Sequence, residues 1–424
     1  MTILLANKFH YVKGGSERYY FDLARSLEEA GHTVVPFAMR SEANVPSAYE
    51  AHFVSEVRFE GGGSPRDSVR RALRVLYSVE AKSRLSRLLD ETRPDIAHLH
   101  NIAHQLSPSI FDPLVARGIP IVQTLHDYKL ACPTYLMLAH GRPCERCVGG
   151  HFFHAARIRC NRGSFGASLV NTVEMYLHTL LGSYRKVDRF LCPSRFLLGK
   201  MIEAGVEERR LVHFPYFVFA SLYRPSTSKG EYAAYVGRLS REKGLVTLLR
   251  ALAFAPRVRL VVVGDGELRA DLEALVETLG LEARVTFAGY KSGEELHALI
   301  REARFTVIPS EWYENLPYAA LESFALGTAA VASRIGGLPE LVRDGETGLT
   351  FTPGDASGMA RAMETLWDDP SSATAMGRNA RALIEREYDE PAHRARLMAL
   401  YAELGAAPAV ADEHGDRAAA GGAR

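Results

Sequence analysis

Short apolar runs alternate along this chain with longer stretches whose apolar residues recur at helical spacing. Strands are predicted at Ile3 to Asn7, Thr33 to Met39, Asp95 to Asn101, Ile119 to Asp127 and Arg189 to Ser194, each followed by a helix-like stretch. That alternation is the pattern of a parallel sheet covered by helices on both faces. A second series follows at Tyr232 to Leu239, Arg259 to Gly264, Arg284 to Gly289, Phe305 to Pro309, Ala329 to Ser333 and Gly348 to Thr352. Two series in tandem predict an α/β chain of two Rossmann-like domains. The break falls where Phe-Pro-Tyr-Phe-Val-Phe from Phe214 leads into Arg-Pro-Ser-Thr-Ser-Lys-Gly. The expected division is a first domain over 1–215, a linker over 216–230, a second domain over 231–388, a last helix over 389–404 and a disordered Ala/Gly-rich tail over 405–424.

At 424 residues the chain is long enough for two or three domains with substantial cores. Its 51 Lys and Arg against 50 Asp and Glu argue against nucleic acid as the main partner, which would draw a basic excess. No apolar run approaches the ~18 residues of a membrane span. The residues from Met1 to Lys8 are expected to form a first strand rather than a signal peptide. The expectation is a soluble cytoplasmic protein, or one peripheral on the inner face of a membrane. From Arg66 to Arg93 eight cations face four carboxylates, with Leu73, Leu76, Tyr77, Leu85, Leu88 and Leu89 at helical spacing. Such a helix either lies on an anionic leaflet or packs on its own domain with its charges in water.

Four of the five cysteines, Cys132, Cys144, Cys147 and Cys160, fall in a loop over 128–163 with His151 and His154. A pair two residues apart plus two outlying thiols can close a tetrahedral zinc site, and four thiolates would make it structural. The competing reading is reduced thiols packed in a lid, as a reducing compartment allows.

The candidate chemistry centres on 304–326. A strand, Phe305 to Ile308, breaks at Pro309-Ser310 into Glu311-Trp312-Tyr313-Glu314-Asn315-Leu316-Pro317 and then a small-residue helix. Pro317 is expected in the first helical turn, with Asn315 or Glu314 capping it. The free N–H groups of such a start suit a phosphate. Glu322, five residues on, stands roughly 7 Å further along the axis, within reach of a ribose diol, while Glu314 faces the other end of the ligand. On spacing alone both glutamates read rather as ordinary helix-surface charges. Gly14-Gly15 follows the first strand, where a glycine lets a ligand approach the backbone. His126-Asp127-Tyr128 closes another strand at the carboxyl end, where open sheets place ligands. Arg238 and Lys243, in Gly237-Arg238-Leu239-Ser240-Arg241-Glu242-Lys243-Gly244, offer a planar fork and a point charge for phosphate oxygens. Gly264-Asp265-Gly266 has Arg269 where a dinucleotide fingerprint needs its third glycine, which weakens a nicotinamide or flavin reading.

Together, Glu314-Asn315-Leu316-Pro317 with Glu322, His126-Asp127-Tyr128, Gly14-Gly15, the Arg238 to Lys243 element and Gly336-Gly337-Leu338-Pro339-Glu340 resemble the motifs of the retaining glycosyltransferases of family 4, the group 1 glycosyl transferases. The resemblance covers nearly the whole chain, and the cysteine-bearing loop after His-Asp-Tyr is similar to an insertion in a subset of that family. It implies the GT-B architecture: two Rossmann-like domains with parallel sheets facing a central cleft, and a final helix crossing back to the first domain. It implies catalytic roles for His126, Arg238, Lys243 and Glu314, with Asp127 orienting His126 or meeting the acceptor. Donor binding falls to Gly15, Arg238, Lys243, Glu314, Asn315, Leu316, Pro317 and Glu322. Gly289-Tyr290-Lys291 would lie by the nucleotide base, and Gly336 to Glu340 would be structural. The implied partners are a nucleotide diphosphate sugar, UDP-sugar before GDP-sugar, and a glycan or lipid-linked acceptor in cell-surface polysaccharide or glycolipid synthesis. The chain contains no Asp-x-Asp, so no catalytic cofactor or metal is expected. Alternatives are a nucleotide-sugar 2-epimerase, a silent donor-binding partner subunit, and, resting on the cysteines, a zinc-dependent nucleic-acid module.

Overall fold

The computed structural model describes residues 1–57 and 65–406. The predicted tail from Gly405 falls, from residue 407 on, outside the described residues. In the first half, β1 (Thr2–Ala6), β2 (Thr33–Phe37), β3 (Ile96–Leu99), β4 (Ile121–Thr124), β7 (Arg189–Cys192) and β8 (Leu211–His213) form one sheet in the order β2-β1-β3-β4-β7-β8, all parallel. Between β4 and β7 a hairpin of β5 (Leu138–Ala139) and β6 (Arg142–Pro143) stands apart. In the second half, β9 (Ala233–Val236), β10 (Leu260–Val263), β11 (Val285–Gly289), β12 (Phe305–Ile308), β13 (Ala330–Ser333) and β14 (Gly348–Phe351) pair in the order β11-β10-β9-β12-β13-β14, again all parallel. Each order reverses beside its first strand, at β1/β3 and at β9/β12, and ligands of doubly wound sheets bind at that crevice. Every residue of β3, β4, β12 and β13 is buried, which is why these strands read as mainly apolar runs without a polar alternation.

The pattern missed β8 and the hairpin. Leu211–His213 is a short edge strand held by its pairing with β7, too brief to show a period. The basic stretch from Arg66 to Arg93 is two helices, Pro65–Leu76 and Val79–Thr92, the second capped by Ser78, whose hydroxyl accepts from the Ala81 N–H at 3.2 Å. Ala81, Leu85, Leu88 and Leu89 are buried in the first half's core, Arg74 and Arg84 pair with Glu80, and Lys82 pairs with Asp112. The second helix therefore takes the packed alternative, with its apolar face inside the protein.

The stretch that joins the halves is a plug rather than a loose tether. Phe214, Tyr216, Phe217, Val218 and Tyr223 are buried in one cluster with Tyr19 and Leu23 of the first half and Leu316, Tyr318 and Phe324 of the second. The last helix, Glu390–Glu403, packs on the first, Gly15–Glu29. Tyr19 Oη lies 3.0 Å from His393 Nε2, Ser26 donates to Glu390, and Tyr401 Oη lies 2.6 Å from His98 Nδ1. This helix, added after the second sheet, is anchored in the first.

Candidate active site

The turn after β12 positions the acidic end of the site. Glu314 is buried, and its Oε1 accepts from Lys243 Nζ at 2.7 Å and from Ser310 Oγ at 2.6 Å. Burial by itself would push this carboxyl up, but the Lys243 ammonium and these hydrogen bonds outweigh it and hold Glu314 below the usual range. Lys243 also lies 5.2 Å over the Trp312 ring. Its loop comes this close because Gly244, at φ +71°, has no β-carbon: one built there would stand 1.9 Å from the Pro309 carbonyl oxygen. Arg238, after β9, is 65% exposed and pairs with Glu242, Nη2 to Oε1 at 3.0 Å, leaving much of its fork open.

Gly336 and Gly337 carry the same turn from below. Gly337 N–H donates to the Glu314 carbonyl at 2.7 Å, and a β-carbon on either glycine would collide with the 314–315 backbone. Glu340, at the end of this motif, accepts from the N–H groups of Arg195 at 2.9 Å and Phe196 at 3.0 Å, so a second-half carboxylate caps a first-half helix.

The helix after the turn runs Tyr318–Ala325, with Pro317 as its extended N-cap residue. This moves the start one residue beyond the predicted one, and Pro317 caps by its backbone because it carries no side-chain acceptor. Leu316 is buried beneath the turn. The Asn315 side chain bonds across to the first half. Its Nδ2 donates to the Leu125 carbonyl at 3.1 Å and its Oδ1 accepts from Ser194 Oγ at 2.8 Å, tying the turn to the first half. Glu322 is buried one turn after Tyr318, with Tyr223 Oη donating to it at 3.3 Å. Burial raises its carboxyl despite the opposing Arg18 guanidinium and Tyr223. Gly15 begins the first helix against the Tyr318 ring, 3.4 Å from where its β-carbon would be.

His126 joins the first half's wall. Its Nδ1 lies 2.6 Å from Tyr216 Oη and its Nε2 3.0 Å from His100 Nδ1, and it stacks between those two rings. Both nitrogens are engaged, and burial among these neighbours pushes its pKa down to about 3, so it is neutral. Asp127 accepts from the Lys129 N–H at 2.9 Å, and burial raises its carboxyl against the nearby Lys8. A small pocket opens here, lined by Lys8, His126, Asp127, Lys129 and Tyr135 among others. Lys129 Nζ pairs with the fully buried Glu174 at 2.7 Å.

The structure thus brings His126, Gly15, Glu314, Lys243, Arg238 and Glu322 to the carboxyl ends of the two sheets. Reading the sequence missed Arg18, Tyr216, Tyr223 and His100. The His98-Leu99-His100 run at the end of β3 was the available signal for the last, whereas Tyr216 and Tyr223 lay in what read as linker. Among the cysteines, Cys147 packs with Phe152, Ala155 and Met175 beside Cys160, and Cys144 follows β6. Burial and the neighbouring thiols push Cys147 up to about 12 and Cys160 up to about 11. All five thiols are free, and among the described residues no group of three or more His, Cys, Asp or Glu is disposed to hold a metal ion.

Two doubly wound parallel sheets meeting at a charged groove define the GT-B class. Residues 13–219 match the family Glycosyltransferase Family 4, and residues 224–383 match Glycosyl transferases group 1. Over 410 residues the chain is 36% identical to glycogen synthase of Mycobacterium tuberculosis, covering 89% of this chain and 88% of that protein. It is also 36% identical to alpha-D-kanosaminyltransferase of Streptomyces kanamyceticus over 175 residues, 40% of this chain but only 45% of that one. Among solved structures, sucrose-phosphate synthase of Thermosynechococcus elongatus superimposes with TM-score 0.71 at 22% identity, covering 96% of this chain and 99% of that one. Anabaena HepE in complex with UDP-glucose superimposes with TM-score 0.67 at 18% identity, covering 95% and 100%. The chain belongs to glycosyltransferase family 4, and it is a glycosyltransferase.

Proposed function

We propose that this enzyme is a retaining, metal-independent hexosyltransferase that moves a sugar from a nucleotide diphosphate sugar to an acceptor hydroxyl. The observation that carries the reading is the Lys243–Glu314 pair beside a free N-terminal helix turn and the open fork of Arg238. In this proposal Glu322 and Tyr223 hold the ribose. Lys243, Arg238 and the N–H groups near Leu316 and Pro317 hold the diphosphate, and Glu314 takes a sugar hydroxyl. As the bond from the anomeric carbon to the diphosphate oxygen breaks, negative charge gathers on the diphosphate, where the two cations stand. The acceptor oxygen bonds to the anomeric carbon on the same face, and its proton passes to the departing phosphate oxygen. No side chain is needed as general base, which suits a neutral His126 held by both nitrogens. His126 and Tyr216 form the wall against which the sugar sits.

UDP-glucose is the first donor to try, because HepE, a protein of this fold, is described with it. The acceptor is placed on the pocket side, by Asp127 and Lys129. The setting proposed is cell-surface polysaccharide or glycolipid synthesis, in the cytoplasm or at the inner membrane face. No helix among the described residues is long and apolar enough to cross a membrane. The test is transfer from UDP- and GDP-hexoses with and without EDTA, with the product's anomeric configuration read by NMR. Transfer that survives EDTA and retains configuration is expected; inversion, or loss of activity on chelation with the fold intact, would sink the reading. Metal content of the purified protein decides between zinc and reduced thiols at the four cysteines.

A further inference from the structure

The helix Phe165–Leu180 is built inside out. Its buried positions are Ser168, Asn171, Thr172, Glu174 and His178, with Met175 the one apolar residue among them. Its solvent face carries Phe165, Leu169, Val173, Tyr176 and Leu180, exposed by 54, 42, 44, 42 and 84%. These five share one stripe at helical spacing, where a surface helix ordinarily turns its polar residues outward. The inner face has a cause: Glu174 takes Lys129 at 2.7 Å and His104 at 3.3 Å in the wall of the His126 pocket, and His178 Nδ1 meets Ser183 Oγ at 2.9 Å. Of the outer face, Tyr176 has partners in the fold, its Oη accepting from the Phe153 N–H at 3.2 Å and its ring set edge-on to Phe152, while Phe165, Leu169, Val173 and Leu180 stay exposed. Phe153 on the helix packed beside it, and Leu181 at its end, extend the stripe.

The charge carried by the sequence on either side of this helix says what covers the stripe. From Arg146 to Val187 the sequence holds six cations, Arg146, Arg157, Arg159, Arg162, Arg185 and Lys186, and a single carboxylate, Glu174, which points inward. The five arginines are exposed. In a chain of 51 cations and 50 carboxylates this is a local excess. A second copy of the chain docked on the stripe would bring this cationic stretch against its own like charge. Lipid phosphates would instead meet the guanidiniums while the leucines and rings enter the acyl boundary. At 16 residues the helix is about 24 Å long, so it lies in the interface plane rather than spanning it.

We propose that the outer face of the Phe165–Leu180 helix docks on an anionic lipid bilayer. The surface differs from the basic 66–93 stretch that composition suggested, and it does not depend on the identity of the donor. The test is co-sedimentation of the full chain with phosphatidylcholine vesicles, plain or with about 30 mol % phosphatidylglycerol. Wild type should pellet with the anionic vesicles, less so in high salt. Leu169→Gln with Leu180→Gln, and separately Arg157→Glu with Arg159→Glu, should each weaken that binding at least about tenfold. Melting temperatures should be unchanged, because all four side chains face solvent. Wild type remaining in the supernatant with both vesicles, or either variant pair pelleting like wild type, would overturn the proposal. So would a wild-type dimer that the leucine variant turns into monomer, since a second copy would then cover the stripe.

Discussion

Lys243 and Glu314 are neighbours in space but 71 positions apart in the chain, and each sets the other's chemistry. The lysine keeps a buried glutamate ionised, and the glutamate fixes the position of the ammonium. Under the proposed reaction, Lys243→Ala should lower turnover by about 10²- to 10³-fold, the usual cost of losing a preorganised charge at a site of developing anion. Glu322→Ala, remote from the breaking bond, should instead raise donor Kd roughly tenfold with a smaller change in turnover, as for a uniform binding contact. Steady-state kinetics and calorimetric titration separate the two, and identical losses in both variants would refute the assignment. His126 carries a pH prediction. Its folded pKa, about 3, lies below the free value of 6.5, so the unfolded chain binds its proton first as pH falls. Its contribution to stability is whole above about 6.5 and drains away towards about 3. At neutral pH the ring carries no charge, so the turnover profile should show no limb near 6.5 that His126→Asn abolishes.

At the scale of elements, the site depends on glycines that let one loop lie against another. Gly244 and Gly280 both have positive φ, +71° and +64°, yet only Gly244 has backbone where a β-carbon would go. Gly280→Ala should therefore cost only the left-handed strain of about 1 kcal/mol. Gly244→Ala must also push Pro309 away, and should cost more than about 2 kcal/mol and lower turnover by displacing Lys243. Denaturant melts of the two variants, with turnover measured beside them, check the contrast. The Gly336-Gly337 turn has the same logic and passes it on, because it supports Glu314 and ends in the Glu340 cap across the cleft.

The whole molecule holds its two halves through polar clamps as well as the aromatic plug. Tyr313 Oη donates to Glu145 at 2.7 Å, and Asn315 bonds to both Leu125 and Ser194. If closure keeps water from an activated sugar, Asn315→Ala should open the cleft more often. The variant should then hydrolyse donor at a higher ratio to transfer, at a cost of about 1 to 3 kcal/mol in the closed form. Counting free sugar against product tests this, and an unchanged ratio would remove the clamp from the account. The last helix belongs to the same scale: it joins the first half through Ser26, Tyr19 and His98, so motion of the halves has to bend or carry it.

By itself the sequence determined the two strand and helix series, because strands buried on both faces must be mainly apolar, and β12 or β13 shows that pattern despite Thr306 and Ser333. Glu314, Lys243, Arg238 and His126 were marked by the resemblance of their motifs to the family's, since by spacing alone they read as surface charges or structural residues. What it could not determine was partnership. That Asn315 reaches Leu125, that Tyr216 holds His126, and that Arg18 confronts Glu322 all follow from contacts between residues distant in the chain. Local spacing carries no record of them. The inside-out face of Phe165–Leu180 was hidden for the same reason: a helix shows in its periodicity that it has two faces, but only the neighbours packed against it decide which one is left for the solvent.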